Sequence, residues 1–501
     1  MIETTGLSGP NQRVQDFLSG PRDMLIGGEW VQALDGRTFA TINPATETDL
    51  VEVALASPAD VDRAVRAARE AFEYGSAWSR TTPRERGRLL WRIADLIEEN
   101  ADELAQLETL DNGKLVGAAR EGDVAIAANL FRYFAGWATK IEGTTIPMST
   151  PGHDYHAYTR REPLGVVAGI VPWNFPLLMA CFKIVPALTA GNTVILKPAE
   201  QTPLSALWLG GLLLEAGLPP GVVNVLPGFG ETGAALVEHP DVDKVAFTGS
   251  TETGRKIAAT AATSNLKKVS LELGGKAPNI IFADADLEAA IAGAVLGGFF
   301  NEGQCCVNGS RLYVQRDVFD EVVEGVAAAA RGITVGSGFD PNVNMGPMVS
   351  REQHEKVLSY LQQGVRDGAV VAAGGTERAL PTGYFIAPTL LTSVTEDMSV
   401  QREEIFGPVV TAMPFDTVDE VVAAANNTRY GLAAGLWSRD IGTAHRVAAR
   451  LRAGTVWINA WHADDVTLPR GGYKESGWGR ELGAFGLDDY TELKTVIADI
   501  G

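Results

Sequence analysis

The sequence predicts an α/β fold built from two successive series of strands and helices. In the first series, short runs rich in β-branched residues alternate with helical stretches, a pattern typical of βαβ units on a parallel sheet. The strands and helices expected there are 166–171, 193–197, 203–216, 222–226, 233–238, 244–247, 253–263 and 269–273. Such an arrangement is typical of nucleotide-binding proteins.

A second alternating series predicts another α/β unit. Its expected helices and strands are 286–300, 311–314, 317–331, 350–367, 369–373, 417–426 and 454–459. Before both series, 58–75 and 83–109 carry apolar residues at three- and four-residue spacing and predict helices. The tail 490–500 alternates and is rich in β-branched residues, which indicates an edge strand that pairs with another element or subunit.

Composition excludes several classes of partner. The chain has 501 residues, enough for two or three substructures, and a formal net charge of -20. Such a surface repels phosphate backbones and anionic lipids, so neither nucleic acid nor a membrane is expected. The apolar stretch 166–188 is too interrupted by prolines and Lys183 to span a bilayer, and the N-terminus lacks signal-peptide features. Three cysteines cannot form a disulfide framework, so a cytoplasmic location is expected.

Cys306 is the candidate nucleophile. It lies in the segment FFNEGQCCVNGSR, where small and polar residues follow the end of a helix. A nucleophilic thiol needs a partly open turn and a depressed pKa, whereas a structural cysteine prefers apolar surroundings. Cys181, in LLMACFKIV, fits the structural interpretation. The local sequence does not choose between Cys306 and its neighbour Cys305.

Two further residues are candidates for chemistry. Glu272 ends a strand and precedes a double glycine, so it is either a general base with a raised pKa or the partner of a cation. Asn174, in GIVPWNFP, is either a donor to a developing oxyanion or a turn residue. Glycine turns at 228–233 and 247–254 both join a strand to a helix, and either one can bind a pyrophosphate.

The sequence resembles the aldehyde dehydrogenase superfamily from residue 25 to the C-terminus. Seven motifs carry the resemblance, namely VPWNFP, LKPAEQTPLSA, FTGSTETG, LELGGK, FFNEGQCC, EEIFGP and GGYKESGWGRE. The family implies a Rossmann-type cofactor domain, an α/β catalytic domain and a small β-arm for oligomerisation. The corresponding segments are 1–142 with 161–275, then 276–478, and 143–160 with 479–501. A homo-oligomer, dimer or tetramer, is implied, with 143–160 forming a hairpin that pairs with the C-terminal strand.

The family pattern assigns roles to the three candidates. Cys306, two positions after Gln304, is the implied nucleophile, and Glu272 is the implied base for deacylation. The Asn174 amide and the Cys306 backbone N–H are the implied oxyanion donors. A CoA-acylating dehydrogenase is an alternative, but those relatives generally lack the base at Glu272. A cysteine hydrolase needs an activating histidine, and no histidine of this chain lies in a comparable motif.

The resemblance also implies NAD as cofactor and no metal site. The cofactor turn is the one with Gly249, and Gly230 lies nearer the adenine. An acidic residue at Glu200 is similar to NAD-preferring members, because it repels a 2′-phosphate. The full set of expected cofactor residues is Pro172, Trp173, Lys197, Glu200, Gly230, Gly249, Ser250, Gly254, Glu404 and Phe406.

The aldehyde is less well defined by the sequence. Expected apolar pocket residues are Phe175, Met179, Phe182 and Phe300. Relatives usually carry Phe where this chain has Arg470, and Asp464 and Asp465 replace apolar pocket walls. The pattern fits an aromatic aldehyde such as an arylacetaldehyde, or an ω-amino or betaine-type aldehyde attracted by the carboxylates. As a third alternative, Arg470 and an aspartate neutralise each other.

Overall fold

The computed structural model describes residues 9–501. Residues 1–8 lie outside the described part; they belong to the predicted 1–142 segment and to the N-terminal stretch that lacks signal-peptide features. An eight-stranded sheet organises the first α/β unit. Its strands, in spatial order, are Gly477–Trp478, Lys268–Glu272, Lys244–Thr248, Val166–Ile170, Thr193–Lys197, Val223–Val225, Met24–Ile26 and Glu29–Val31. The five central strands are parallel, which confirms the predicted βαβ arrangement.

Helices pack around this sheet. They are Gln12–Leu18, Pro58–Phe72, Pro83–Glu99, Ala101–Asp111, Val116–Ala118, Ala125–Ala135, Pro176–Ala190, Leu204–Glu215, Gly230–Glu238 and Thr251–Thr263, with a π-helical turn at Ala119–Val124. The prediction of one helix over 83–109 is wrong. Asn100 interrupts it with φ -113° and ψ 25°, and its side chain donates to the Leu96 carbonyl at 2.9 Å.

The second unit contains a seven-stranded sheet. Its strands, in spatial order, are Val370–Ala373, Thr389–Thr392, Val409–Phe415, Arg311–Gln315, Pro278–Ile281, Ala433–Trp437 and Thr455–Ile458. All neighbours are parallel except the first pair. Its α-helices are Leu287–Phe299, Phe319–Arg331, Arg351–Arg366, Ser399–Arg402, Val418–Asn426 and Ile441–Ala448. Short 3₁₀ turns occupy Phe300–Gly303, Arg316–Val318, Lys474–Ser476 and Ala484–Tyr490.

Two small sheets complete the fold. The strand Tyr155–Pro163 pairs antiparallel with Thr145–Ile146 on one side and with the C-terminal strand Thr491–Asp499 on the other. The predicted pairing of the 143–160 hairpin with the C-terminal strand is therefore present within one chain. A second ribbon pairs Thr38–Asn43 with Thr48–Ala54.

The helix Pro176–Ala190 connects the sheet to the active-site region. All of its residues except Met179 are buried, and Pro176 at its first turn costs no hydrogen bond. Within residues 9–501, no helix is both long enough and apolar enough to cross a membrane.

Candidate active site

The turn that carries Cys306 is unusually constrained. After the helix Leu287–Phe299 ends, Asn301 (φ 49°) and Glu302 (φ 57°) adopt left-handed conformations, which are rare for residues other than glycine. Buried side chains hold the turn: Glu302 Oε1 accepts from the Gly346 N–H at 3.0 Å, and Gln304 Oε1 accepts from the Val349 N–H at 3.0 Å. Strain held by surrounding contacts is typical of functional sites.

The turn exposes one thiol and buries its neighbour. Cys306 is half-buried, whereas Cys305 and Cys181 are buried. Hydrogen bonding with Cys305, and then burial, raises the pKa of the Cys306 thiol, while the positive charge of Arg470 lowers that pKa. The same hydrogen bond lowers the pKa of the Cys305 thiol. The Cys181 pKa is raised by burial, as expected for a structural cysteine.

Glu272 faces this turn from the end of the strand Lys268–Glu272. Its Oε1 atom is buried and has no hydrogen-bond partner among residues 9–501. Burial raises the pKa of this carboxyl well above its ordinary value, and the nearby Glu481 and Cys306 raise it further. Such a carboxyl holds its proton more tightly than a free one, so its ionised form is a stronger base than an ordinary carboxylate.

Asn174 links the first sheet to the Cys306 turn. It is buried, and its side-chain Nδ2 donates to the Gln304 carbonyl at 2.9 Å. The backbone carbonyl of Asn174 accepts hydrogen bonds from Lys114 Nζ and from Asn301 Nδ2, each at 3.1 Å. The structure therefore places the Asn174 amide against the backbone two residues before Cys306.

Gly275 allows the strand end and the cysteine turn to approach closely. A Cβ atom at Gly275 would overlap the carbonyl oxygen of Cys306. The Gly275 N–H donates to Glu404 Oε1 at 2.8 Å, and burial raises the pKa of Glu404. Glu404, Glu272 and Cys306 therefore surround one double-glycine turn.

A buried ion pair next to Glu272 was not predicted from the sequence. Lys183 and Glu481 pair inside the protein, and Lys183 Nζ also donates to Thr248 Oγ1 at 2.6 Å. Both charges act on the carboxyl of Glu272: Glu481 raises its pKa and Lys183 lowers it. The only available signal was a lone lysine in the apolar segment LLMACFKIV.

Most of the expected cofactor residues end or follow parallel strands of the first sheet, whereas Glu404 and Phe406 precede the strand Val409–Phe415. Both glycine turns start a helix, at Gly230–Glu238 and Thr251–Thr263. Ser250 caps the second helix by accepting from the Thr253 N–H at 3.2 Å. A Cβ atom at Gly254 would lie 2.6 Å from the Leu273 side chain, whereas one at Gly230 would meet nothing within 4 Å. Close packing therefore requires glycine at position 254, whereas position 230 has open space for a side chain.

The remaining expected cofactor residues form two local pairs. Lys197 is buried and forms an ion pair with Glu200 at 3.2 Å. Because its amine is buried, this ion pair is not an ordinary surface pair. Burial lowers the pKa of Lys197. The rings of Trp173, which follows Pro172, and Phe406 meet edge to face with centroids 5.2 Å apart, and Phe406 has a φ of 61°. An amine and two helix N-termini can donate hydrogen bonds to a dinucleotide, and a carboxylate can accept them from its ribose hydroxyls.

Aromatic rings meet beside the Cys306 turn. The rings of Phe175 and Phe300 stack with their centroids 6.0 Å apart and an angle of 23° between the ring planes. The centroid of the His462 ring lies 4.6 Å from that of Phe300. Phe182 is buried and Met179 half-buried on the helix Pro176–Ala190. His462 was not predicted, because the sequence places it only in a polar loop.

The charged residues of the same loop are paired. Arg470 Nη2 lies 2.5 Å from Asp464 Oδ2, so the third alternative, mutual neutralisation, is the arrangement present. Asp465 is exposed and accepts from the Thr467 N–H at 2.8 Å, which is the role of a turn residue.

Comparisons with known proteins agree on one family. The model of the aldehyde dehydrogenase family matches residues 30–496. An NAD+ complex of an aldehyde dehydrogenase from Bacillus cereus is 53% identical, covers 98% of this chain and 99% of that chain, and has a TM-score of 0.96. An indole-3-acetaldehyde dehydrogenase from P. syringae is 44% identical, covers 98% of each chain and has a TM-score of 0.94. A betaine aldehyde dehydrogenase from Staphylococcus aureus is 41% identical, covers 99% of this chain and 98% of that chain, and also has a TM-score of 0.94.

Proposed function

Because the chain belongs to the aldehyde dehydrogenase family, it oxidises aldehydes with NAD, and we propose that Cys306 is the nucleophile of this reaction. The Cys306 sulfur forms a bond to the carbonyl carbon of the aldehyde. The Asn174 amide and the Cys306 N–H donate to the resulting oxyanion. When bound, NAD would serve as the hydride acceptor, so that collapse of the oxyanion adduct would leave a thioester on Cys306.

Glu272 completes the proposed reaction as a general base. It takes a proton from water, whose oxygen attacks the thioester carbon; the C–S bond then breaks, and the acid leaves. The unpartnered buried Oε1 atom of Glu272 supports this role, because it is free to accept that proton. A CoA-acylating enzyme needs no such base, so acid formation without CoA is the expected result.

The proposed cofactor contacts use residues already described. The Lys197–Glu200 pair is proposed to bind the adenosine ribose, and Glu404 with Phe406 to bind the nicotinamide side. The turn with Gly249, Ser250 and Gly254 is proposed to face the pyrophosphate, because a helix N-terminus there presents free N–H groups.

An aromatic aldehyde is the proposed substrate. The observation that carries this proposal is the stack of Phe175 on Phe300, extended by His462. Aromatic walls favour an aromatic ring over a flexible alkyl chain through offset and edge contacts. The similarity to an indole-3-acetaldehyde dehydrogenase points to the same class.

An aminoaldehyde is the second candidate, supported by the similarity to a betaine aldehyde dehydrogenase. Its cation needs an unbalanced carboxylate, but Asp464 is paired with Arg470 and Asp465 is an exposed turn residue. Measuring kcat/KM with NAD for phenylacetaldehyde and for 3-aminopropanal distinguishes the two candidates. We expect phenylacetaldehyde to be preferred by at least about tenfold, a difference of ~1.4 kcal/mol. A tenfold preference for the aminoaldehyde contradicts the aromatic proposal.

The proposed assembly is a cytoplasmic homo-oligomer. The C-terminal strand exposes Leu493 and Ile497 by 57% and 56%, an apolar edge suited to a second subunit. All three cysteines, which lie in the described part of the chain, are free thiols, as in a reducing compartment. Light scattering tests the assembly: a dimer or tetramer is expected, and a monomer at micromolar concentration contradicts it.

A further inference from the structure

The residues that follow the helix Ala101–Asp111 hold the loop that carries Asn174. Asn112 Nδ2 donates to the Trp173 carbonyl at 2.8 Å, and Lys114 Nζ donates to the Asn174 carbonyl at 3.1 Å. Two successive peptide groups of the loop are therefore bound by side chains from one short segment. Because hydrogen bonds are directional, these contacts fix the orientation of both peptide groups.

The Lys114 ammonium ion is buried and paired. Its side chain is 3% exposed, it forms an ion pair with the Asp123 carboxylate, and Glu108 Oε2 lies 3.6 Å from the Lys114 Nζ atom. Burial lowers the pKa of Lys114, but the charges of Asp123 and Glu108 outweigh burial, so the pKa is raised and the amine is charged at neutral pH. Separating a buried ion pair is costly, so the ammonium ion keeps one position.

The same ammonium ion contacts the next residue of the loop. Lys114 Nζ lies 4.5 Å from the centroid of the Phe175 ring, within the range of a cation–π interaction. Phe175 stacks on Phe300, and Asn301 Nδ2 donates to the Asn174 carbonyl at 3.1 Å. Phe300 and Asn301 both belong to the cysteine turn. Lys114 and the cysteine turn together therefore hold the peptide group that joins Asn174 to Phe175.

The position of this peptide group decides where the Asn174 amide lies. The backbone carbonyl and the side chain of Asn174 are attached to the same Cα atom, so a shift of the carbonyl also moves the amide. That amide donates to the Gln304 carbonyl at 2.9 Å, beside the proposed nucleophile. A misplacement of about 1 Å in an active site can lower the rate by about 100-fold.

We propose that Lys114 is a positioning residue for the oxyanion donor: its buried ammonium ion, paired with Asp123, holds the Asn174 backbone carbonyl and thereby the Asn174 amide. Lys114 acts through Asn174 rather than on the aldehyde. A methionine at this position would fill similar space but could not donate to the carbonyl. The inference rests on the proposed oxyanion role of Asn174.

The test compares the effect of Lys114→Met in two backgrounds. NADH formation at saturating NAD gives kcat/KM for phenylacetaldehyde and for acetaldehyde, because an oxyanion forms from either. In the otherwise unchanged protein, loss of the charge-assisted hydrogen bond is expected to lower kcat/KM at least about tenfold. In Asn174→Ala the amide is already absent, so adding Lys114→Met is expected to lower kcat/KM by less than about threefold.

Lys267→Met is the matched control. Lys267 is also buried, and its Nζ atom donates to the backbone carbonyls of Val237 and of His239, the latter at 2.8 Å. It precedes the strand Lys268–Glu272, at the end away from the cysteine turn. Its replacement removes comparable hydrogen bonds and is expected to keep kcat/KM within about twofold of the original value.

A second variant separates positioning from stability. Lys114→Met leaves the Asp123 carboxylate buried without its cation, whereas Lys114→Met/Asp123→Asn removes both charges. The double variant is expected to have a higher Tm than Lys114→Met but a kcat/KM still at least about tenfold below the original, because the carbonyl contact stays absent. If Lys114→Met does not fold, as judged by circular dichroism, the double variant replaces it in both backgrounds.

Three results overturn the inference. One is a loss below about tenfold in folded Lys114→Met, and another is a loss above about threefold when Lys114→Met is added to Asn174→Ala. The third is recovery of kcat/KM together with Tm in Lys114→Met/Asp123→Asn, which indicates a role in stability alone. An ordinary kcat/KM in Asn174→Ala alone contradicts the proposed oxyanion role, and the inference with it, whereas the three results above leave that role intact.

Discussion

The side-chain amide of Asn174 donates a 2.9 Å hydrogen bond to the carbonyl of Gln304, two residues before Cys306. This contact connects the carboxyl end of a parallel strand to the turn of the proposed nucleophile. The amide nitrogen carries two hydrogens, so one remains for an oxyanion while the other holds the turn.

Asn174→Ala is expected to lower kcat/KM for aldehyde on the order of 100-fold or more, because one oxyanion donor is removed. Steady-state kinetics with saturating NAD measure this loss. Asn301→Ala is the comparison, since Asn301 donates only to the carbonyls of Asn174 and Gln304. We expect a smaller loss there, below about tenfold. A loss below tenfold in Asn174→Ala itself contradicts the oxyanion role.

The pH dependence of deacylation is expected to follow Glu272. A base must be deprotonated, and the pKa of this carboxyl is raised, so the rate rises with pH through a range above the ordinary carboxyl value of about 4.3. Glu481→Gln removes a neighbouring negative charge and should move the acidic limb to lower pH. Lys183→Met removes the compensating cation and should move it to higher pH.

Single-turnover thioester decay in a quenched-flow instrument measures both shifts. Glu272→Gln should abolish the acidic limb altogether. Shifts of the same sign in Glu481→Gln and Lys183→Met contradict the electrostatic account. Lys183→Met also leaves Glu481 buried without its partner, which is expected to cost about 3–5 kcal/mol of unfolding free energy in urea titration.

Glu200→Gln is expected to change cofactor preference. The Glu200 carboxylate, paired with Lys197 at 3.2 Å, repels a 2′-phosphate in the proposed adenosine site. Its removal should raise the ratio of kcat/KM for NADP over NAD by at least about tenfold. Glu215→Gln, at the end of the helix Leu204–Glu215, is the charge-matched control and should leave the ratio unchanged. An unchanged ratio in Glu200→Gln places the ribose elsewhere.

Gly275→Ala is expected to disturb the cysteine turn, because the added Cβ atom would overlap the Cys306 carbonyl oxygen. Such overpacking costs about 1–3 kcal/mol of stability, and a small displacement of Cys306 can lower kcat by up to about 100-fold. Gly211→Ala is the control, because its Cβ atom meets nothing within 4 Å in the middle of a helix. Its stability should be equal or higher. Equal behaviour of both variants argues against the close approach.

The sequence predicts the parallel strands well because their signal is local. The strand Thr193–Lys197 has the predicted bounds, since β-branched residues and flanking turns mark both ends. The helix break at Asn100 was missed because the apolar spacing continues on both sides of it. The helix Pro176–Ala190 was read only as an interrupted apolar run, since burial on all sides removes the amphipathic pattern.

The site shows the same division between local and distant signals. Cys306, Glu272 and Asn174 each lie in or next to a turn motif that is visible in a short stretch of sequence. The Lys183–Glu481 pair joins residues 298 positions apart, so no local pattern contains it. The neutralisation of Asp464 by Arg470 was one of three open alternatives, because which charges meet in a loop depends on its folded path.

The most direct test of the central claim compares two neighbouring cysteines in one assay. NADH formation from phenylacetaldehyde and NAD is measured for Cys306→Ser and Cys305→Ser. Loss of the Cys306 thiolate removes the group that forms the thioester, so Cys306→Ser should lose essentially all turnover, while Cys305→Ser keeps it. Near-normal turnover in Cys306→Ser, or its loss only in Cys305→Ser, would contradict the assignment of Cys306 as the nucleophile.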